Sequence, residues 1–427
     1  MTCAAVTECR ESGLSKGRTA RTRREAVAEL TMIAKRTLPT AFALFLALLA
    51  AGAFRAAPAQ TAPGALADAD SLLGEASDEI KRGRYDLAVE SLRRAIALRP
   101  DAPQAQLDLS FAYIKLGRFA LAVEPARAAI RLRPGEVKAY LNLGMAYEFM
   151  QRFPEALDAY HQAIAVDPNS AIAYNSLAAM YHRTGRIEEA IKYYREAVRL
   201  DPSFAAAHTN LGLAYIRLGK YDEGIEAFRR AISLNPDAVK AHHFLAGTYL
   251  RKGMYEKAID SYGEEIRLTP KNPNTYRERA LANLYLARGG AAAADARAFL
   301  DMAGWRDGGS QYMAVVAHLG LRQAGGGDGA QRVLDEAALN ADTSAWPYPL
   351  LRYLRRELSE REALAAADNI DKLTEAHAYI GMDMSLSGKT EEAVEHFKWV
   401  KEYGNRSFVE YPLALGELKR LAGGDAK

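Results

Sequence analysis

Residues 171–204 read AIAYNSLAAMYHRTGRIEEAIKYYREAVRLDPSF, and the spacing inside this stretch recurs through the middle of the chain. Proline returns at Pro100, Pro134, Pro168, Pro202, Pro236 and Pro270, always 34 residues apart. With each unit ending two residues after its proline, other marks fall into register. Position 7 holds Leu109, Leu143, Leu177, Leu211 and Leu245, and position 11 holds Tyr113, Tyr147, Tyr181, Tyr215 and Tyr249. Position 15 holds Gly83, Gly117, Gly185, Gly219 and Gly253, with Gln151 the exception. Position 20 holds Ala88, Ala122, Ala156, Ala190 and Ala258, with Gly224 the variant.

Apolar residues at positions 4, 7, 8 and 11 form one helical stripe, and positions 20, 24, 27 and 28 form a second. Glycine at 15 ends the first helix, and proline at 32 stops the second. Small residues at 8, 20 and 27 let the axes approach closely. No unit can bury its own apolar face, so the units must stack as a quasi-one-dimensional array.

A 34-residue helix pair with these marks resembles the tetratricopeptide repeat (TPR) family. That resemblance implies an all-α, helix-turn-helix solenoid, a right-handed superhelix, followed here by a TPR-like C-terminal helical module. The expected divisions are a leader over 1–59, a linker over 60–68 and six repeats over 69–270. A decayed seventh repeat over 271–310, a helical pair over 311–340 and a C-terminal module over 341–427 complete the chain. The glycine run 325–329 reads as a linker between two helices, and Ser359 with Glu362 as a capping box.

The last segment, Glu375-Ala376-His377-Ala378-Tyr379-Ile380-Gly381 with Phe408-Val409-Glu410-Tyr411 and Ala414-Leu415-Gly416-Glu417-Leu418, resembles the end of the bacterial TPR lipoprotein NlpI. This implies an envelope adaptor that presents cell-wall hydrolases to a protease. The chain departs from that family in having no lipobox cysteine and a longer regular array.

Leu38 to Phe54 is apolar, with Lys35-Arg36 before it and Ala57-Pro58-Ala59 after it, the three parts of a secretory signal peptide. Seventeen residues fall short of the ~20 of a spanning helix, which favours cleavage before Gln60. Translation from Met32 gives a compact basic lead-in. If Met1 is the start, Arg21, Arg23 and Arg24 form a positive arm, and 38–54 stays as an inner-membrane anchor. Both cysteines, Cys3 and Cys9, precede Met32, so the exported protein would carry neither disulfide nor thiolate chemistry.

The net charge is +3, but residues 1–59 alone carry +5 and the rest −2, with signs interspersed. This excludes the clustered basic face that nucleic acid needs. No HExxH, GxSxG or phosphate-loop pattern is present, so no enzyme activity, cofactor or metal is expected. His208 and His242 occupy position 4, the slot of Tyr140 and Tyr174, and read as packing groups.

Positions 2, 6, 9 and 13 lie opposite the core stripe of the first helix and are expected to line a groove. The candidate groove residues are Lys138 and Lys240 at position 2, Asn142, Ser176 and Asn210 at position 6, and Lys115, Arg183, Arg217 and Arg251 at position 13. Asparagine suits a partner's peptide backbone and arginine a carboxylate, so the expected partner is an extended, acidic protein segment. Taken singly, each of these residues is better explained as part of a solvated face, and at position 13 a cation in the last helical turn offsets the dipole. The expected function is a non-enzymatic scaffold or adaptor in the cell envelope, periplasmic after cleavage. The alternatives are a membrane-anchored subunit of a secretion or polysaccharide-export complex and a regulatory partner of a glycosyltransferase. Oligomeric state is open.

Overall fold

The computed structural model describes residues 63–424 apart from 407 and 409. The leader, its apolar stretch 38–54 and both cysteines lie outside the described residues. Twelve helices form the first six units: α1 (Pro63–Lys81), α2 (Tyr85–Leu98), α3 (Pro103–Lys115), α4 (Phe119–Leu132), α5 (Val137–Phe149), α6 (Phe153–Val166), α7 (Ala171–Arg183), α8 (Ile187–Leu200), α9 (Ala205–Arg217), α10 (Tyr221–Leu234), α11 (Val239–Arg251) and α12 (Tyr255–Leu268). Helix α1 opens at Pro63, so the stretch read as a linker up to 68 is helical from there on. Among the described residues no helix is long and apolar enough to cross a membrane.

The turn inside each unit explains the position-15 glycine. In the fourth unit Gly185 has φ +81°, its N–H donates to His182 O, and the N–H of Arg186 donates to Tyr181 O at 2.9 Å. This is a Schellman closure, which needs one left-handed residue after the helix. The same bond joins Arg118 to Tyr113 and Lys220 to Tyr215. Gln151 takes the conformation without a glycine, at φ +60°.

Packing sets the curvature. The first helices of successive units, α1, α3, α5, α7, α9 and α11, touch one another, whereas the second helices of the array, α2, α4, α6, α8, α10 and α12, do not pack on one another. The stack therefore bends with the first helices inside. Position-25 side chains donate or pair across three successive boundaries: Arg127 Nη2 to the Tyr147 hydroxyl at 2.7 Å, Arg195 Nε to that of Tyr215 at 3.0 Å, and His161 Nε2 beside that of Tyr181 at 3.2 Å. Position 8 is small because its Cβ points at the position-24 ring. A Cβ on Gly144 would stand 2.5 Å from Tyr160.

The C-terminal part is built from α13 (Pro273–Tyr285), α14 (Gly289–Ala303), α15 (Ser310–Gln323), α16 (Gly327–Asn340), α17 (Tyr348–Leu354), α18 (Glu360–Ala365), α19 (Ile370–Leu386), α20 (Thr390–Tyr403) and α21 (Glu410–Gly424). The glycine run read as a linker is instead a Schellman turn. Gly325 has φ +79°, Gly326 N–H donates to Leu321 O, and α16 starts at Gly327. Ser359 and Glu362 form the capping box in full.

The array splits its core into several clusters, whereas a single cluster runs from Ala280 to Ala414. Helix α21 returns to pack on α13 as well as on α19 and α20. Asp383, buried in α19, ties the body together by accepting from Arg322, from Arg356 Nη1 at 2.7 Å and from the Tyr353 hydroxyl at 3.1 Å.

Candidate functional site: the inner face of the array

Because the first helices lie inside the bend, their outward-turned side chains line a groove from α3 to α11. Position 13 sits at the rim of that groove, against position 17 of the preceding unit. Phe149 stacks on Phe119 with centroids 4.6 Å apart, and the Arg183 guanidinium lies 5.3 Å from the Phe153 ring.

The candidate residues divide by what they already hold. Asn142 is buried, and its Nδ2 donates to Ser110 Oγ at 2.7 Å, which fastens α5 to α3. Asn210 Nδ2 donates to Asn175 Oδ1 at 3.0 Å, which fastens α9 to α7. The Nδ2 of each amide is engaged between units, and Asn142 is buried besides, a correction to the expectation that left both open to a partner's backbone; half-buried Asn210 keeps its carbonyl oxygen. Arg183 is also engaged: its Nη1 meets Glu148 Oε1 at 3.0 Å, and Glu148 accepts from the Tyr160 hydroxyl at 2.8 Å. Lys115 lies over the Phe111 ring at 5.2 Å. Ser176 is half-buried and forms no side-chain hydrogen bond with a described group.

Arg217, Arg251 and Lys240 remain. All three are exposed, and none makes a hydrogen bond or ion pair with a described group. Lys138 is exposed beside Asp108, whose carboxyl is raised by burial and drawn back by Gln104 and by the lysine's charge. The groove therefore has a positive character whose carriers have no acceptor of their own.

The other basic series is structural. Arg152 and Arg186 at position 16 lie over the position-11 tyrosine and pair with the glutamate at 19, while Arg84 pairs with Glu79 and Arg118 with Asp86. Arg186 sits 4.4 Å from the Tyr181 ring and 2.7 Å from Glu189 Oε1. Position-4 histidines bond to the preceding unit's proline carbonyl, His208 to Pro202 O at 3.2 Å and His242 to Pro236 O at 2.9 Å. Tyr140 makes the same bond to Pro134 O at 3.1 Å, so the rings are interchangeable fasteners. Among the described residues no group of three His, Cys, Asp or Glu side chains is placed to hold a metal ion.

Sequence reasoning passed over a polar group in the sixth unit. Glu265 is 2% exposed at position 27, where the five preceding units hold Ala95, Ala129, Ala163, Ala197 and Ala231. It accepts from Thr275 Oγ1 at 2.8 Å and meets His243 Nδ1 at 3.0 Å. The signal was the break in the alanine column.

Comparison with known proteins places the chain among helical repeats. The crystal structure of MamA is 27% identical, covering 38% of this chain and 94% of that one, with a TM-score of 0.34. A structure of PilF from Pseudomonas aeruginosa is 21% identical over 50% of this chain and 97% of that one, TM-score 0.45. YrrB, described as a TPR protein with an unusual peptide-binding site, is 18% identical over 42% and 91%, TM-score 0.37. No curated protein matches the chain. A family model described as the cilia and flagella-associated protein 70 C-terminal domain matches residues 18–275, more than half of the sequence, and the chain belongs to that tetratricopeptide-repeat family.

Proposed function

We propose that this protein is a non-enzymatic scaffold that binds extended, acidic segments of other proteins along the inner face of α3 to α11. The observation that carries this reading is the contrast among cations. Arg183 and the position-16 arginines meet carboxylates of their own chain, whereas Arg217, Arg251 and Lys240 stand exposed along the groove and unpaired among the described residues. An ion pair with an incoming carboxylate costs these groups no existing partner, and the bidentate guanidinium suits a carboxylate in particular. The C-terminal body has a different part, because α21 packs back on α13 and α19 and leaves the array as the open surface.

The leader supports export, so we assign the scaffold to the cell envelope, with envelope proteases or cell-wall hydrolases as its partner class. The apolar stretch 38–54 also supports a second reading, a membrane-held subunit of a larger assembly. Mass spectrometry of the N-terminus from native membranes separates them: Gln60 as first residue supports the exported scaffold, and an intact start at Met1 or Met32 supports the anchored subunit.

The groove is tested with an array of short peptides graded in acidic content. Reversing Arg217 and Arg251 to Glu together should lower affinity for the acidic members at least tenfold with the circular dichroism spectrum unchanged. Equal binding by the reversed protein would sink the proposal. Arg183 is left out of this variant because its reversal would also break the Glu148 pair.

A further inference from the structure

The sixth unit departs from its neighbours around one point on the groove wall. Position 9 holds Gly247, where Phe111, Met145, Ala179 and Leu213 stand in the second to fifth units. A Cβ on Gly247 would meet nothing within 4 Å except the Tyr262 hydroxyl at 3.8 Å. In the third unit the equivalent hydroxyl, that of Tyr160, is taken by Glu148 at position 12. The sixth unit has Leu250 there, and the Tyr262 hydroxyl makes no hydrogen bond with a described group.

Beside it, the His243 ring lies edge-on to the Tyr262 ring, with centroids 6.2 Å apart. Its Nδ1 is held by buried Glu265, and its Nε2 is left without a partner among the described residues. The Glu265 bond raises the imidazole above the ordinary histidine range, against the pull of partial burial. The charges acting on the ring come from Glu265 in α12 and Glu278 in α13, while α9 and α10 bring Leu213 and Phe228 to the cluster beneath. Burial and the charges of Glu278 and Glu265 raise the Tyr262 hydroxyl as well, offset in part by Arg277 and Arg251. The Tyr262 hydroxyl and the His243 ring thus flank a position that carries no side chain, and Arg251 follows that position one helical turn on in α11.

We propose that the hollow at Gly247 is a subsite for one carboxylate side chain of a bound peptide, taken by the Tyr262 hydroxyl, the His243 Nε2–H and the Arg251 guanidinium. This rests on the groove reading above. A site made of donors selects a group that only accepts, so the amide of glutamine, which presents its own N–H groups, fits less well. Glu265 and Glu278 stand close by, the latter paired with Arg277 at 3.1 Å, and they oppose a doubly charged phosphate. Only the protonated imidazole donates from Nε2 while Nδ1 serves Glu265. Binding is therefore expected to weaken as pH rises through the titration of His243, when Nε2 turns a lone pair to the ligand.

The test uses the full chain with carbon-13-labelled histidine. The probes are an acetylated, amidated alanine–serine peptide carrying a single glutamate, its glutamine counterpart and its phosphoserine counterpart. We expect the glutamate peptide to shift the His243 ring resonance, to raise its titration midpoint and to bind at least tenfold tighter than the glutamine peptide. Gly247→Leu, which fills the hollow, and Tyr262→Phe, which removes the hydroxyl without altering the ring packing, should each remove most of that preference. Equal binding of the glutamate and glutamine peptides overturns the subsite, as does full binding by Gly247→Leu or tighter binding of phosphoserine. Binding that responds to Arg217 and leaves His243 unperturbed overturns the subsite alone. Failure of every peptide, here and on the graded array, overturns the groove reading with it.

Discussion

Tyr379 of α19 donates its hydroxyl to Glu410 Oε1 of α21 at 2.8 Å, and both residues are buried. Burial pushes the Glu410 carboxyl up to about 7, and the neighbouring charge of Glu375 adds to the effect. Glu375 itself is raised by burial, while it accepts from the Tyr312 hydroxyl at 2.9 Å and from the Trp346 indole. The closing helix is therefore docked through a carboxylic acid that prefers to keep its proton.

The pH consequence has a definite sign. The unfolded chain releases this proton near 4.5 and the folded one near 7, so stability falls as pH rises between those values and stays lower above them. The shift corresponds to about 3 kcal/mol in the limit. His377, lowered by burial to about 4, contributes a slope of opposite sign over much of the same range, so the native protein alone does not isolate the effect. Glu410→Gln keeps an acceptor for Tyr379 and cannot ionise. It should be more stable than the native chain at pH 8 by ~1–3 kcal/mol and no more stable at pH 4. Urea melts of both proteins at the two pH values check this.

Two glycines in equivalent helices should respond oppositely to the same methyl group. Gly144→Ala forces a Cβ to 2.5 Å from the Tyr160 ring and should cost about 1–3 kcal/mol. Gly247→Ala meets only the Tyr262 hydroxyl at 3.8 Å and should stabilise by about 0.5–1 kcal/mol through helix propensity. Thermal melts of the pair decide it, and destabilisation by both would mean that the hollow at Gly247 is not there.

Gln151 and Ala287 occupy the left-handed turn position with φ of +60° and +55°. Replacing either by glycine removes a strain of about 1 kcal/mol, partly offset by the extra freedom of the unfolded chain. A small rise in melting temperature is expected from each. Ala substituted for Gly185, at φ +81°, should lower it.

Asp383→Ala leaves Arg322 and Arg356 facing each other without their shared carboxylate. Arg356 is mostly exposed and falls back on solvent, so the loss is set by Arg322 and the Tyr353 hydroxyl and should be about 1–3 kcal/mol. The loss should fall on the C-terminal body, which hydrogen exchange would locate to α15, α17 and α19 with the array still protected.

Much of the fold was legible because its determinants are local. The Schellman turn at Gly185 requires a left-handed residue wherever it occurs, and the small residue opposite Tyr160 or Phe228 is dictated within one unit, so both repeat with the sequence. The groove was less legible. Arg183 and Arg217 occupy the same position of adjacent units and look alike in sequence, yet only the first finds a glutamate, because Glu148 lies one unit earlier at position 12 where the fourth unit has His182. The same distance effect concealed the use of Asn142 by Ser110. The glycine run at 325–329 was read as a linker between two helices, but its turn type and the start of α16 inside the run were not, since composition does not distinguish a linker from a Schellman turn.

The return of α21 to α13 also bears on the order in which the molecule can be completed. A unit of the array needs little beyond its neighbours, so each can settle as the growing chain emerges from the ribosome. The body that starts at Pro273 waits for α21 to be synthesised, because one of the surfaces α13 rests on is encoded far downstream of it. A stop codon between α13 and α21 would thus leave a finished array attached to an unfinished body, a product that quality-control proteases would meet as half native and half substrate.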